Sequence, residues 1–175
     1  MIFTELSLPG TFLIELEPHT DERGFFARTF AVADFERLAL DVAIAECSIS
    51  FNARRGTLRG MHYQAHPFGE SKLVRCTRGS IYDVAVDLRP DSGAYCHWYG
   101  VELSADNCRM LYVPDGVAHG FQTLEDASEV FYQISKPYVP QAARGVRWDD
   151  PAIGIRWPEA PQVISERDRN YPNLQ

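Results

Sequence analysis

Residues 72–88 read K-L-V-R-C-T-R-G-S-I-Y-D-V-A-V-D-L, and their alternation decides the fold. Lys72, Val74 and Cys76 fall on one side of the first half, and Leu73, Arg75 and Thr77 on the other. Arg78-Gly79-Ser80 turns the chain. Tyr82, Val84, Val86 and Leu88 then alternate with Asp83, Ala85 and Asp87, a period of two that puts successive side chains on opposite faces of a strand. Working outward, residues 98–103, 109–113, 119–123 and 129–134 have the same character. They are separated by Ser104-Ala105-Asp106-Asn107, Pro114-Asp115-Gly116 and Glu125-Asp126. Upstream, residues 11–17 read as a strand ended by Pro18, followed by the charged turn Asp21-Glu22-Arg23-Gly24 and by Phe25-Phe26. Residues 34–40 carry the one helix signal, with Asp34 as N-cap and Phe35, Leu38 and Ala39 on one face. Short strands with turns every 8–12 residues predict a β-sandwich, barrel or jelly roll. The tail from Lys136 is Pro-rich and aromatic (Trp148, Trp157) and is expected to pack as ordered loops around the barrel.

The chain of 175 residues is long enough for one domain, 1–175, with a full core, and shows no repeat and no linker. A net charge of −7 argues against a nucleic-acid surface, while leaving room for a local basic pocket. The start, M-I-F-T-E-L, has neither a basic n-region nor a long apolar run, and no stretch reaches ~18 apolar residues, so a cytoplasmic protein with no membrane partner is predicted. Cys47, Cys76, Cys96 and Cys108 form no C-x-x-C pair, which predicts four reduced thiols rather than a zinc site or disulfide frame.

Chemistry concentrates in residues 56–64, G-T-L-R-G-M-H-Y-Q. Gly60 admits a bulge or a close backbone approach beside an otherwise apolar strand. Arg59 supplies a fixed cation suited to phosphate, and three residues on His62 supplies a base of the type that titrates near neutrality. A surface arginine beside a hydrogen-bonded core histidine explains the same segment. His19, His66 and His97 sit in loop or strand-edge contexts and read as structural or solvent-exposed.

His119 lies in P-D-G-V-A-H-G-F, which resembles the second motif of the cupin superfamily, small β jelly rolls. Metal-binding cupins carry H-x-H and a downstream Glu in their first motif. Here the matching place reads His62-Tyr63-Gln64, so a three-His-plus-carboxylate set cannot be assembled, and no metal is expected. The ordered set D-E-R-G-F-F, L-R-G-M-H-Y-Q, K-L-V-R-C, Y-D-V-A-V-D-L-R, P-D-G-V-A-H-G-F and W-D-D-P-A-I-G-I-R-W-P then resembles the dTDP-4-dehydrorhamnose 3,5-epimerase family over nearly the whole chain. The resemblance implies an all-β cupin double-stranded β-helix (jelly roll) with short peripheral helices, a homodimer, and no cofactor. It also implies action on a nucleotide-diphosphate-linked 4-keto-6-deoxy sugar.

In such a sugar the C4 ketone acidifies the hydrogens on C3 and C5. Inversion needs a base on one face, an acid on the other, and a positive partner for the enolate. By resemblance His62 is the base, Asp168 the carboxylate that orients it, Lys72 the cation near the developing enolate oxygen, and Tyr132 the opposite-face acid. Arg23 and Arg59 match diphosphate-binding arginines, Tyr138 an aromatic that stacks on the base, and His119 a residue near the substrate. Phe26, Arg28 and Gln64, in or beside the same motifs, join the expected substrate-binding set. Asp83 joins it as a supporting partner of Lys72 or His62. Departures gather at the nucleotide end: Arg28 and Ala143 stand where the family has glutamates, and Cys47, Ser48 and Ile49 where it often has Gln-Asp-Asn. They leave dTDP, CDP and GDP open as the nucleotide, and C3, C5 or both as the centre inverted. A metal-dependent cupin and a non-catalytic sugar-nucleotide binder are the competing classes.

Overall fold

The architecture, a computed structural model describing residues 1–174, consists of two facing sheets. The first contains β1 (Ile2–Glu5), β2 (Phe12–Glu15), β5 (Glu46–Asn52), β7 (Lys72–Arg78), β10 (Met110–Val113) and β12 (Ser128–Ile134), ordered β1-β2-β10-β7-β12-β5. The second contains β6 (Thr57–Gln64), β8 (Ser80–Asp87), β9 (Trp98–Ser104), β11 (Val117–Thr123) and β13 (Ala143–Gly145), ordered β13-β6-β11-β8-β9. β14 (Val163–Ile164) adds to β6 in parallel, and β3 (His19–Asp21) with β4 (Gly24–Phe26) makes a hairpin off both sheets. This is the jelly roll that the resemblance implied and one of the three architectures that the alternation left open.

The interior between the sheets holds Val74, Cys76, Ile81, Ala85, Leu103, Leu111, Val113, Phe121 and Val130. Both sheets are also covered on their outer faces. Leu73, on the opposite side of β7 from Val74, packs with Phe12, Ile14, Phe35 and Tyr112 beneath α1 (Val32–Glu36). Val84 and Val86 of β8 pack outward with Met61, Val146 and Ile153, against Trp157 of the tail. The face of β8 that carries Asp83 and Asp87 is therefore the one shared with Ala85, turned to the interior. Both carboxylates are wholly buried.

Two expectations are corrected here. The helix begins earlier than residue 34 and ends at Glu36, short of Leu38 and Ala39: Ala31 occupies the N-cap without a side-chain cap, and Asp34 lies in the first turn, where its charge suits the helix dipole. The tail is not loops alone. β13 and β14 flank β6, and α2 (Glu166–Arg169) follows, capped by Ser165, whose hydroxyl accepts the Asp168 N–H at 3.1 Å. Among the described residues, no helix is long and apolar enough to cross a membrane.

Candidate active site

The site is built on a close crossing of β6 and β11. Their register shifts between His119 and Phe121, next to Gly60, whose φ of +138° is a conformation side chains rarely adopt. A Cβ on Gly60 would lie 2.6 Å from the Gly120 Cα and 3.2 Å from the His119 carbonyl oxygen, so the glycine sets how near the strands come. Gly60→Ala is expected to lower stability by about 2–4 kcal/mol through backbone strain and displaced β11. Denaturant unfolding reads this directly, and an unchanged midpoint would contradict it.

Two residues beyond that crossing, His62 places Nε2 2.7 Å from Asp168 Oδ1. The other carboxylate oxygen accepts the Gly60 N–H at 3.3 Å. Burial alone would raise the Asp168 carboxyl. The hydrogen bond and charge of His62, the Gly60 N–H and Ser165 outweigh it and hold Asp168 below the usual carboxylate range. The result is a buried carboxylate, ionised at neutral pH, behind a histidine whose side chain is 41% exposed towards a cavity.

That cavity, of about 520 Å³, is lined from both sheets. β6 and β11 supply Arg59, His62 and His119, and β7, β12 and β5 supply Lys72, Tyr132 and Ser48–Ser50. His62 and the Tyr132 phenol therefore face the same space from opposite walls. Burial, and then the Asp83 charge, push the Tyr132 hydroxyl far above its ordinary range, with Arg59 opposing, so it remains a proton donor. Arg59 donates from Nε to Asn52 Oδ1 at 2.8 Å, and Asn52 is itself tied to the Ser50 and Ser128 carbonyls. That tether holds the guanidinium at the cavity wall.

His119 sits opposite His62 in the β11–β6 ladder and places Nε2 2.7 Å from Asp83 Oδ1. This corrects Asp83: it supports His119, not Lys72 or His62, and is too deeply buried to touch a ligand. Burial raises its carboxyl above the ordinary value against the pull of His119. The edge of one ring meets the face of the other between His119 and Tyr132, with centroids 5.9 Å apart, so the Asp83–His119 pair braces the phenol.

Other expected residues lie apart from this cavity within one chain. Arg23 projects from the β3–β4 hairpin with its side chain 85% exposed and folds back onto Asp21, and Phe26 is 74% exposed beside it. Arg28 lies near Met1, Glu17 and Asp34. Gln64 is buried, and its amide is spent on backbone, donating to Phe68 and Pro137 and accepting from Val139. It pins the 137–139 loop and lines the same small cavity as Tyr138. Tyr138 lines a second, adjoining cavity of about 180 Å³ with Lys136, Arg144 and Arg167.

Residues the sequence did not single out also appear. Tyr171 packs edge-on against His62, and Asn52 and Glu70 hold Arg59 and Lys72. The Ser165-x-x-Asp168 spacing is a helix-start signal that would have placed α2. Among the described residues, no group of three or more His, Cys, Asp or Glu is arranged to share a metal ion.

The sequence profile of the family described as dTDP-4-dehydrorhamnose 3,5-epimerase matches residues 5–175. The enzyme of that name from Sinorhizobium fredii is 43% identical over 175 residues, 99% of this chain and 90% of the relative. The crystal structure of the Bacillus anthracis enzyme, with TDP and pyrophosphate bound, superposes with a TM-score of 0.95 at 38% identity, covering 99% of each chain. The Legionella pneumophila structure in complex with dTDP-4-keto-L-rhamnose gives 0.92 at 32% identity, covering 98% of this chain and 92% of that one.

Proposed function

The chain belongs to the dTDP-4-dehydrorhamnose 3,5-epimerase family and is an isomerase, and from that premise we propose that it inverts C3, C5 or both of a dTDP-linked 4-keto-6-deoxy sugar by removing a proton on one face and returning one on the other. The observation that carries this reading is the placement of His62 and Tyr132 on opposite walls of one cavity. His62 takes the proton α to the ketone, and ionised Asp168 stabilises the imidazolium. Lys72 meets the charge that develops on the ketone oxygen, and Arg59 holds the diphosphate. Tyr132 gives its proton to the opposite face of the enolate; the imidazolium then releases its proton to solvent and the tyrosinate takes one from solvent, which restores both groups. Proton removal and return leave the oxidation state of the sugar unchanged, so this scheme calls for no electron carrier.

The nucleotide end carries a second question. Ser48 and Ile49, standing where the family often has a polar trio, line the cavity, and Ile49 is 62% exposed, so this part of the wall presents an apolar side chain. We expect turnover on dTDP-, CDP- and GDP-linked 4-keto-6-deoxy sugars to differ by no more than ~10-fold in kcat/KM, about 1.4 kcal/mol. A dTDP preference of ~100-fold, about 2.7 kcal/mol, would contradict the reading of Ile49. No inversion of any of the three would defeat the function itself.

The same reading includes a homodimer in a reducing, cytoplasmic setting. β5 is an edge strand with Ile49 and Phe51 exposed, and Phe25 and Phe26 stand out from a hairpin that packs in neither sheet. Such an edge is protected by pairing with a second copy. In that arrangement Arg23 and Phe26 have a partner's cavity to serve, which accounts for their distance from their own. Among the described residues all four cysteines are free, as suits a reducing compartment.

A further inference from the structure

One buried carboxylate that this mechanism leaves unused is Glu70, just ahead of β7. It is 8% exposed, and among the described residues its one ion-pair partner is Lys72. Its second oxygen, Oε2, is buried with no hydrogen-bond partner. Three other cations, Lys136, Arg144 and Arg167, line the cavity beside it, yet Lys72 is the one it holds. We propose that Glu70 is a positioning residue for Lys72, drawing the ammonium from behind so that its remaining N–H groups face the reacting sugar. The inference rests on the epimerase reading of Lys72.

The geometry supports this in three steps. Lys72, like His62, lines both cavities, whereas Glu70 lines only the second and Tyr132 only the first, so Lys72 bridges the carboxylate's cavity and the one that Tyr132 faces. An ammonium has three donors, and one spent on Glu70 leaves two for substrate oxygen. The mount is also stiff. Ser71, between the two, donates its N–H to Ser135 Oγ at 2.9 Å and accepts the Ser135 N–H at 3.1 Å, which ties this corner to the end of β12. A lysine side chain is otherwise a flexible point charge, and in a cavity meant for a diphosphate an untethered ammonium is drawn to the phosphates rather than to the ketone.

The test is a double-mutant cycle on the purified enzyme, with kcat and KM measured on a dTDP-linked 4-keto-6-deoxy sugar. Glu70→Ala is expected to lower kcat by ~10- to 100-fold through a misplaced ammonium, with KM moving less than ~3-fold because the phosphate anchors are untouched. Glu70→Gln keeps an acceptor oxygen for Lys72 and is expected to restore kcat to within ~5-fold of the parent, since a hydrogen bond of near-equal geometry survives. In a Lys72→Ala background Glu70→Ala should have no further effect on kcat, because residues acting through one another are not additive. Full additivity overturns the inference while leaving the epimerase reading standing. Glu70→Gln as slow as Glu70→Ala overturns the assignment to the acceptor oxygen. Parental activity in Lys72→Ala overturns the inference together with the role of Lys72. Melting temperatures of all variants separate these results from simple unfolding.

Discussion

His62→Asn is expected to abolish both epimerisation and the exchange of substrate α-hydrogens with heavy water, each by roughly 10³-fold or more, the range a lost general base commands. The two losses are tied because no enolate forms without the base. Asparagine keeps a polar side chain but ends about where Nδ1 lies, so the 2.7 Å contact from Nε2 to Asp168 is lost along with the base. Asp168→Asn should fall between the parent and His62→Asn. It disturbs the tautomer and charge balance of the imidazole while leaving the base present. NMR of the substrate in heavy water measures both quantities in one tube. Exchange near the parental rate in His62→Asn would move the base elsewhere.

Tyr132→Phe separates the acid from the base. The ring stays against His119, with which it packs at 5.9 Å between centroids, and only the hydroxyl is lost. His62 still forms the enolate and returns a proton to the face it came from. The variant should therefore keep exchange within ~10-fold of the parent while inversion drops by ~10²- to 10³-fold, the contribution of a placed general acid. Deuterium would enter the substrate at an α carbon with little new stereoisomer formed. The protonation state favours this division. Burial and the Asp83 charge keep the phenol protonated far beyond neutral pH, while Asp168 stays ionised. Equal loss of exchange and inversion in Tyr132→Phe would contradict it, and full inversion would place the acid on another group.

Much of the scaffold was legible because strand alternation is a local property. Residues 72–88 form β7 and β8, the two strands that their period of two describes, with the turn at Gly79 carrying the chain from one sheet to the other. What alternation could not tell was which face is the interior. With α1 over one sheet and the tail over the other, both faces are apolar surroundings, and the carboxylates of β8 turn inward. β13 and β14, three and two residues long, are too short to show any period. They exist because β6 offers them an edge.

The site divides in the same way. Arg59, Gly60 and His62 are near neighbours in sequence, and their chemistry could be read from one segment. Asp168 is 106 positions from His62, so nothing local connects them, and its role was visible only through resemblance to a family. The Asp83–His119 pair depends on the register of β8 against β11, in which Asp83 faces Phe121 and His119 faces Ala85. Strand register is a tertiary outcome of core packing and is not written in either strand. Arg23, Phe26 and Arg28 carry the matching residue types yet stand off their own cavity, because they belong to a hairpin and a segment outside both sheets.

The central claim is proton removal from one wall of the cavity and proton return from the other. It is tested most directly by following the unmodified enzyme with a dTDP-linked 4-keto-6-deoxy sugar in heavy water by NMR. The account expects each inverted centre, C3 or C5, to carry deuterium from solvent, with a new set of sugar resonances growing at the expense of the old. Inverted product that retains the original hydrogen at the inverted carbon would contradict it.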